Sequence, residues 1–167
     1  MIIAENEAEE YQQAEQKKQV YLTRVNQLFG NIKNWLKDEP VAVKQQDFEI
    51  IEKFTGHYTV PSLSISTQAG QELAKIKPKG AYVILAEGLV DIEGGFGREH
   101  ITYMVDGGPS SYRYLPENTT QLIKKPMFKG IKEDAWYWVE DSRLDRANAI
   151  DKELLRELIT LVSDYEF

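Results

Sequence analysis

The chain has 167 residues, 42% of them apolar and 28% charged, with 27 acidic side chains against 20 basic ones and a net charge of −7. Such a length supports a sizeable core. The acidic balance weighs against general nucleic-acid binding and against an anionic membrane surface, because phosphate contacts need a concentrated basic surface. The sequence contains no cysteine, which excludes disulfides, thiolate nucleophiles and cysteine-based zinc sites and favours a non-oxidising compartment.

The opening MIIAENEAEE has neither a basic stretch nor an apolar one of the secretory kind. No apolar run approaches the roughly 20 residues needed to cross a bilayer. The expectation is a cytoplasmic protein with one domain over residues 1–167, no membrane contact and no cofactor.

In chain order, residues 5–37 predict one long helix. Its first half is polar and rich in helix formers. Its second half carries an apolar stripe, Tyr21, Val25, Leu28, Phe29, Ile32, Trp35 and Leu36, at spacings of three and four. Only that half has enough apolar surface to dock, so residues 1–18 are expected to project. A weak heptad pattern through Ala8, Tyr11 and Ala14 leaves room for a homo-oligomer through this helix. Pro40 ends it.

Residues 41–55 are ambiguous, and the glutamate, glutamine and lysine between the apolar positions favour helix over strand. Tyr58, Val60, Leu63 and Ile65 alternate as a half-buried strand does, with Pro61 indicating an edge or a bulge. Leu73 to Lys77 predict a short extended piece. The continuous apolar run Ala81 to Leu85 predicts a strand covered on both faces. Val90 to Glu93 and Arg98 to Val105 then flank Gly94-Gly95-Phe96-Gly97 as a hairpin.

Residues 106–132 read as a long irregular connection, the kind that is often functional. Trp136 to Val139 predict a last strand. The final helix is expected to start near Asn148 as its N-cap and to bury Ile150, Leu154, Leu155, Leu158, Leu161 and Val162. Ion pairs among Asp141, Arg143, Asp145 and Arg146 are expected at its entry. The fold class is therefore α+β: an antiparallel sheet of about four to six strands, flanked by a long N-terminal helix and a C-terminal helix.

The hairpin yields the sharpest site expectation. With residue 93 opposite 98, Asp91 faces His100, and Asp91, Glu93, Arg98 and His100 share the face opposite the core positions Val90, Ile92, Ile101, Tyr103 and Val105. Read plainly, this is a surface charge ladder that fixes register. Read as chemistry, a carboxylate orients an imidazole for acid–base work. His100, Asp91, Arg98 and His57 are thus the catalytic candidates of the alternative reading.

Other signals are weaker. The glycine-rich loop leads from strand to strand, not into a helix, so it lacks the frame of a phosphate cradle. No metal-ligand spacing joins His57 or His100 to carboxylates. Ser110 and Ser111 lack the strand–turn–helix frame of a nucleophile elbow. Lys124, Lys125, Lys129 and Lys132 form the one candidate basic cluster and read as a solvated loop.

Aromatic residues point elsewhere. Tyr112, Tyr114, Trp136 and Trp138, with Phe96 at the hairpin tip and Glu93 beside it, are the binding candidates, because tyrosine and tryptophan bury large area with a polar handle. The leading reading is a small non-catalytic interaction module with a protein partner, of adaptor or immunity-type inhibitor kind. Its alternatives are a small hydrolase or ribonuclease-like enzyme using histidine, carboxylate and arginine, and a sheet that binds a small molecule or lipid.

Overall fold

The structure is a computed structural model that describes residues 2–140 and 145–167. Helix α1 (Ile2–Leu36) opens the chain and α2 (Lys152–Ser163) closes it. Between them run β1 (Val41–Glu52), β2 (Gly56–Thr67), β3 (Glu72–Gly80), β4 (Gly88–Gly94), β5 (Gly97–Met104), β6 (Ser110–Leu115), β7 (Asn118–Pro126), β8 (Ala135–Val139) and β9 (Ala147–Ala149). Among the described residues, seven strands make one sheet in the order β1-β2-β3-β4-β5-β8-β9, every neighbouring pair antiparallel, and β6 and β7 make a separate two-stranded sheet. The α+β class stands, with more strands in the main sheet than the four to six expected.

One face of the sheet carries both helices. Tyr21, Val25, Leu28, Phe29, Ile32 and Leu36 of α1, with Leu155, Leu158, Ile159 and Val162 of α2, bury against Leu63, Ile65, Ile76, Val90, Ile92 and Ile101. The stripe read from sequence is the docked stripe. Residues 4–13 of α1 are exposed, and the helix meets the body from Ala14 onward. On the opposite face a smaller cluster forms at β5, β8 and β9, where Ile131 and Phe128 cover Met104, Tyr137 and Ala147.

Five expectations are corrected. Residues 41–52 form a strand, not a helix, because all twelve pair with β2 from Val41↔Thr67 to Glu52↔Gly56. Pairing along the whole ribbon outweighs the helix preference of its polar residues. Burial in β2 moves from Tyr58 and Val60 to Leu63 and Ile65, which have opposite parity. A long two-stranded ribbon twists strongly, so its two halves present different faces to the core. Pro61 sits beyond the last β2–β3 pair at Leu63↔Ile76, where an inner strand has an open side and a missing N–H costs nothing.

Ala81 to Leu85 are not a covered strand. They form a turn closed by a Val83–Ala86 bridge, with Tyr82, Ile84 and Leu85 exposed and Leu85 in the left-handed region at φ 66°. Nor are residues 106–132 irregular throughout, since β6 and β7 make a hairpin there. Asn148 lies in β9, and the N-cap of α2 is Asp151, whose carboxylate accepts the Leu154 N–H at 2.8 Å. Leu161, expected on the buried face of α2, is exposed, and Ile159 takes its place. The ion pairs expected of Asp141 and Arg143 lie outside the described residues.

Candidate functional site

Two neighbouring hairpins carry the candidate residues, and they differ in how the body holds them. In the first, β4 and β5 pair as the sequence predicts, with Glu93↔Arg98, Asp91↔His100, Val90↔Ile101 and Leu89↔Thr102 in register. The loop is tighter than the expected four residues, because Gly94 pairs with Gly97 and only Gly95 and Phe96 turn the chain. Val90, Ile92 and Ile101 are buried on the helix side, whereas Val105 lies past the end of β5 and is exposed.

The hairpin end is wedged against α2. The Phe96 N–H donates to the Val162 carbonyl at 2.9 Å, and a Cβ on Gly94 would fall 2.2 Å from that same oxygen. Glycine is therefore required at 94 by close backbone approach. The Phe96 side chain itself points into solvent.

On the helix-free face, Asp91, Glu93, Arg98 and His100 converge as expected, and β3 adds Lys77 and Lys79. Asp91 is 2% exposed, a buried charge. Its carboxylate meets His100 Nδ1 at 2.6 Å, Arg98 Nε at 3.7 Å and Lys79 Nζ at 3.9 Å. Glu93 meets Lys77 Nζ at 2.9 Å, Arg98 Nε at 3.2 Å and Lys79 Nζ at 3.5 Å. The hydrogen bond from Lys77 is the main cause that holds the Glu93 carboxyl below the usual carboxylate range, with Lys79 and Arg98 adding to it. Lys77 and Lys79 were legible only through the β3–β4 register, which sets Lys77 opposite Asp91.

Chemically, this cluster can hold a register, and it places an imidazole against a carboxylate with a guanidinium alongside. It lies on an open sheet face, and His100 is more than half exposed. His57 lies at the far end of the β1–β2 ribbon, opposite Ile51, and shares no hydrogen bond or ion pair with the cluster among the described residues. No group of three or more histidine, aspartate or glutamate side chains suited to a metal ion occurs among the described residues.

In the second hairpin, β6 and β7 pair from Ser110↔Pro126 through Tyr114↔Leu122. Strand alternation places Tyr112, Tyr114, Leu122 and Lys124 on one face of the ribbon, and Ser111, Arg113, Ile123 and Lys125 on the other. Tyr112 is 59% exposed and Tyr114 61%, and Leu122 is exposed beside them. This ribbon, here called the arm, is a separate two-stranded sheet with an aromatic face and basic flanks.

The other aromatic candidates do not join it. Trp136 is 6% exposed and packs edge-on to Tyr103 at 5.4 Å, its indole N–H donating to the Arg24 carbonyl at 3.3 Å. Trp138, half-buried on the same face, donates to Glu99 Oε2 at 2.8 Å. Along β8 the side chains alternate: Tyr137 faces the opposite cluster, and both tryptophans serve the helix side. Phe96 is separated from the arm by the length of β5, roughly 25 Å for eight residues.

A groove of about 1430 Å³ runs beside β9 and α2, lined among others by Trp138, Lys132, Arg146, Glu157, Leu161 and Phe167. All of its walls come from residues 129–167, brought together by the pairing of β8 with β9 and the packing of α2. It is not lined by Asp91, His100, Tyr112 or Tyr114.

The fold and the two hairpins define an α+β protein whose aromatic hairpin forms a sheet of its own. No protein-family model, no curated protein and no solved structure matches the chain.

Proposed function

We propose that this chain is a non-catalytic binding module, an adaptor or immunity-type inhibitor, that engages a protein partner through the β6–β7 arm. One observation carries the reading: Tyr112, Tyr114 and Leu122 are exposed together on one face of a ribbon that, among the described residues, pairs with no strand of the main sheet. An isolated hairpin is at best marginally stable in water, and exposed aromatic side chains grouped on such a ribbon are what a partner's pocket takes up. Arg113, Lys124 and Lys125 give the arm a basic character on an acidic chain, so an acidic rim on the partner would speed and orient the encounter. A cytoplasmic setting belongs to the same reading. Self-association through α1 is compatible with it, because neither surface uses the other's residues.

The test is capture of a partner from the source cell's extract by wild type and by the Tyr112→Ala/Tyr114→Ala variant. The reading expects a partner held by wild type and lost at least tenfold by the variant. Equal capture by both would remove the arm from the function.

The Asp91–His100 contact at 2.6 Å with Arg98 beside it favours a second reading, a hydrolase or ribonuclease-like enzyme with His100 as the acid–base group. It expects hydrolysis of an ester or phosphodiester to fall at least a hundredfold in His100→Ala. Unchanged turnover in that variant would end it.

A further inference from the structure

A second large apolar exposure lies at the turns that join β1 to β2 and β3 to β4. Phe54, in the β1–β2 turn, and Tyr82 sit with ring centroids 5.5 Å apart, and Ile84 and Leu85 follow in the same exposed corner, Ile84 91% exposed. Glu52 holds the corner to the sheet, its Oε1 accepting the Tyr82 N–H at 2.9 Å and its Oε2 the Tyr58 hydroxyl at 2.5 Å. Two cations cap the rings: Lys17 Nζ lies 4.4 Å from the Tyr82 ring centroid and Lys53 Nζ 5.2 Å from that of Phe54. The corner is thus a fixed apolar surface with a basic rim.

Helix α1 passes this corner and continues beyond it. Its docked stripe, Tyr21, Val25, Leu28 and Ile32, runs back at heptad spacing through Lys18, Ala14, Tyr11, Glu7 and Ala4. Ala14 is buried, but Tyr11 and Ala4 on the same stripe are exposed. Glu5, Glu7, Glu9 and Glu10 make this free half strongly acidic. The molecule therefore carries an acidic helix with an unpartnered stripe and, a turn or two away, an apolar corner rimmed by lysines.

We infer that these two surfaces are complementary halves of one interface, and that two copies of the chain associate with the first half of α1 of each lying antiparallel across the Phe54–Tyr82–Ile84–Leu85 corner of the other. A two-fold axis near Gln12 and Gln13 satisfies both halves at once. It brings residues 5–10 of one copy level with residues 15–20 of the other, so the glutamates approach Lys17 and Lys53, and Tyr11 approaches the corner. Each copy then uses the same two patches, which closes the assembly at two. Parallel pairing of the free halves would instead set four glutamates against four glutamates. The contact involves no residue of the β6–β7 arm and does not depend on the binding reading above.

Light scattering on the full chain at tens of micromolar tests this directly. The expected mass is that of two 19.2 kDa chains, falling to one chain in Tyr11→Glu and in Ile84→Glu. Both positions are exposed, so thermal unfolding should show each variant folded. Raising the salt from about 50 to 500 mM should weaken the dimer severalfold, since the glutamate–lysine contacts are screened. A wild type that stays monomeric at 100 µM overturns the inference, and so does a dimer that survives both substitutions or ignores salt. A dimer broken by Tyr112→Ala/Tyr114→Ala would move the contact to the arm. A monomer that sediments with phosphatidylserine vesicles would assign the corner to lipid. Either result overturns the proposal.

Discussion

The β4–β5 and β6–β7 hairpins use the same local rules, and the body treats them differently. The first is flanked by β3 and β8, covered by α2 on one face, and pinned at its end by the Val162 carbonyl. Among the described residues, the second forms a two-stranded sheet of its own. Alternation and turn chemistry make either ribbon locally plausible, but only burial against a third element makes one a structural part of the fold. The supported hairpin is needed for stability. The second keeps exposed aromatics on its face, and the proposed binding rests there.

The largest expected effect is at the pinned turn. Gly94→Ala drives a methyl into the backbone oxygen of Val162, and overpacking against main chain costs about 3 kcal/mol or more. Chemical denaturation should show it as a lowered midpoint with unchanged slope. A variant as stable as wild type would show that α2 does not hold the hairpin.

A paired truncation sharpens the contrast. Ile101→Ala, fully buried in β5, should destabilise by about 3 kcal/mol from lost transfer energy and cavity formation. Leu122→Ala, exposed in β7, should stay within about 0.5 kcal/mol. Similar losses from both would erase the distinction between the two ribbons.

The charged face gives a smaller, pH-dependent effect. Glu93 has its carboxyl pKa lowered in the folded state, so its contribution is present above its unfolded pKa of about 4.3 and is lost as pH falls through the lower folded value. Glu93→Gln should therefore be less stable than wild type at pH 7 and approach it below pH 4. A difference that persists unchanged into that acid range would mean Glu93 acts through packing and not through Lys77.

The smallest effect is a gain. Gly30 lies inside α1 with nothing within 4 Å of where its Cβ would be, so Gly30→Ala should add up to about 1 kcal/mol of stability. A higher melting temperature with unchanged arm exposure would confirm that the two regions respond separately.

Much of this fold was legible in the sequence because several signals agreed. The stripe from Tyr21 to Leu36 has one period and one stop at Pro40, and α1 docks as read. The Asp91↔His100 register followed from alternation on both sides of a glycine turn. Where signals conflicted, tertiary structure decided. Gln45, Gln46 and Glu49 prefer helix, but twelve pairs with β2 held 41–52 extended. Ala81 to Leu85 look like a core strand by composition, yet Gly80, at φ 152°, turns the chain outward before them.

The candidate binding residues were only partly legible for the same reason. Tyr112 and Tyr114 face solvent, but sequence spacing alone grouped Trp136 and Trp138 with them. Whether an aromatic side chain is a contact residue or a core residue depends on what lies above it. Here α1 supplies the Arg24 carbonyl that accepts the Trp136 indole N–H, and nothing local announces that.

The most direct test of the account replaces residues 112–124 with a short glycine–serine turn and measures both thermal unfolding and partner capture. The expected result is a cooperative transition within a few degrees of wild type, with capture abolished. A chain that loses cooperative unfolding, or that captures its partner undiminished, would contradict the assignment of the arm to function and not to structure.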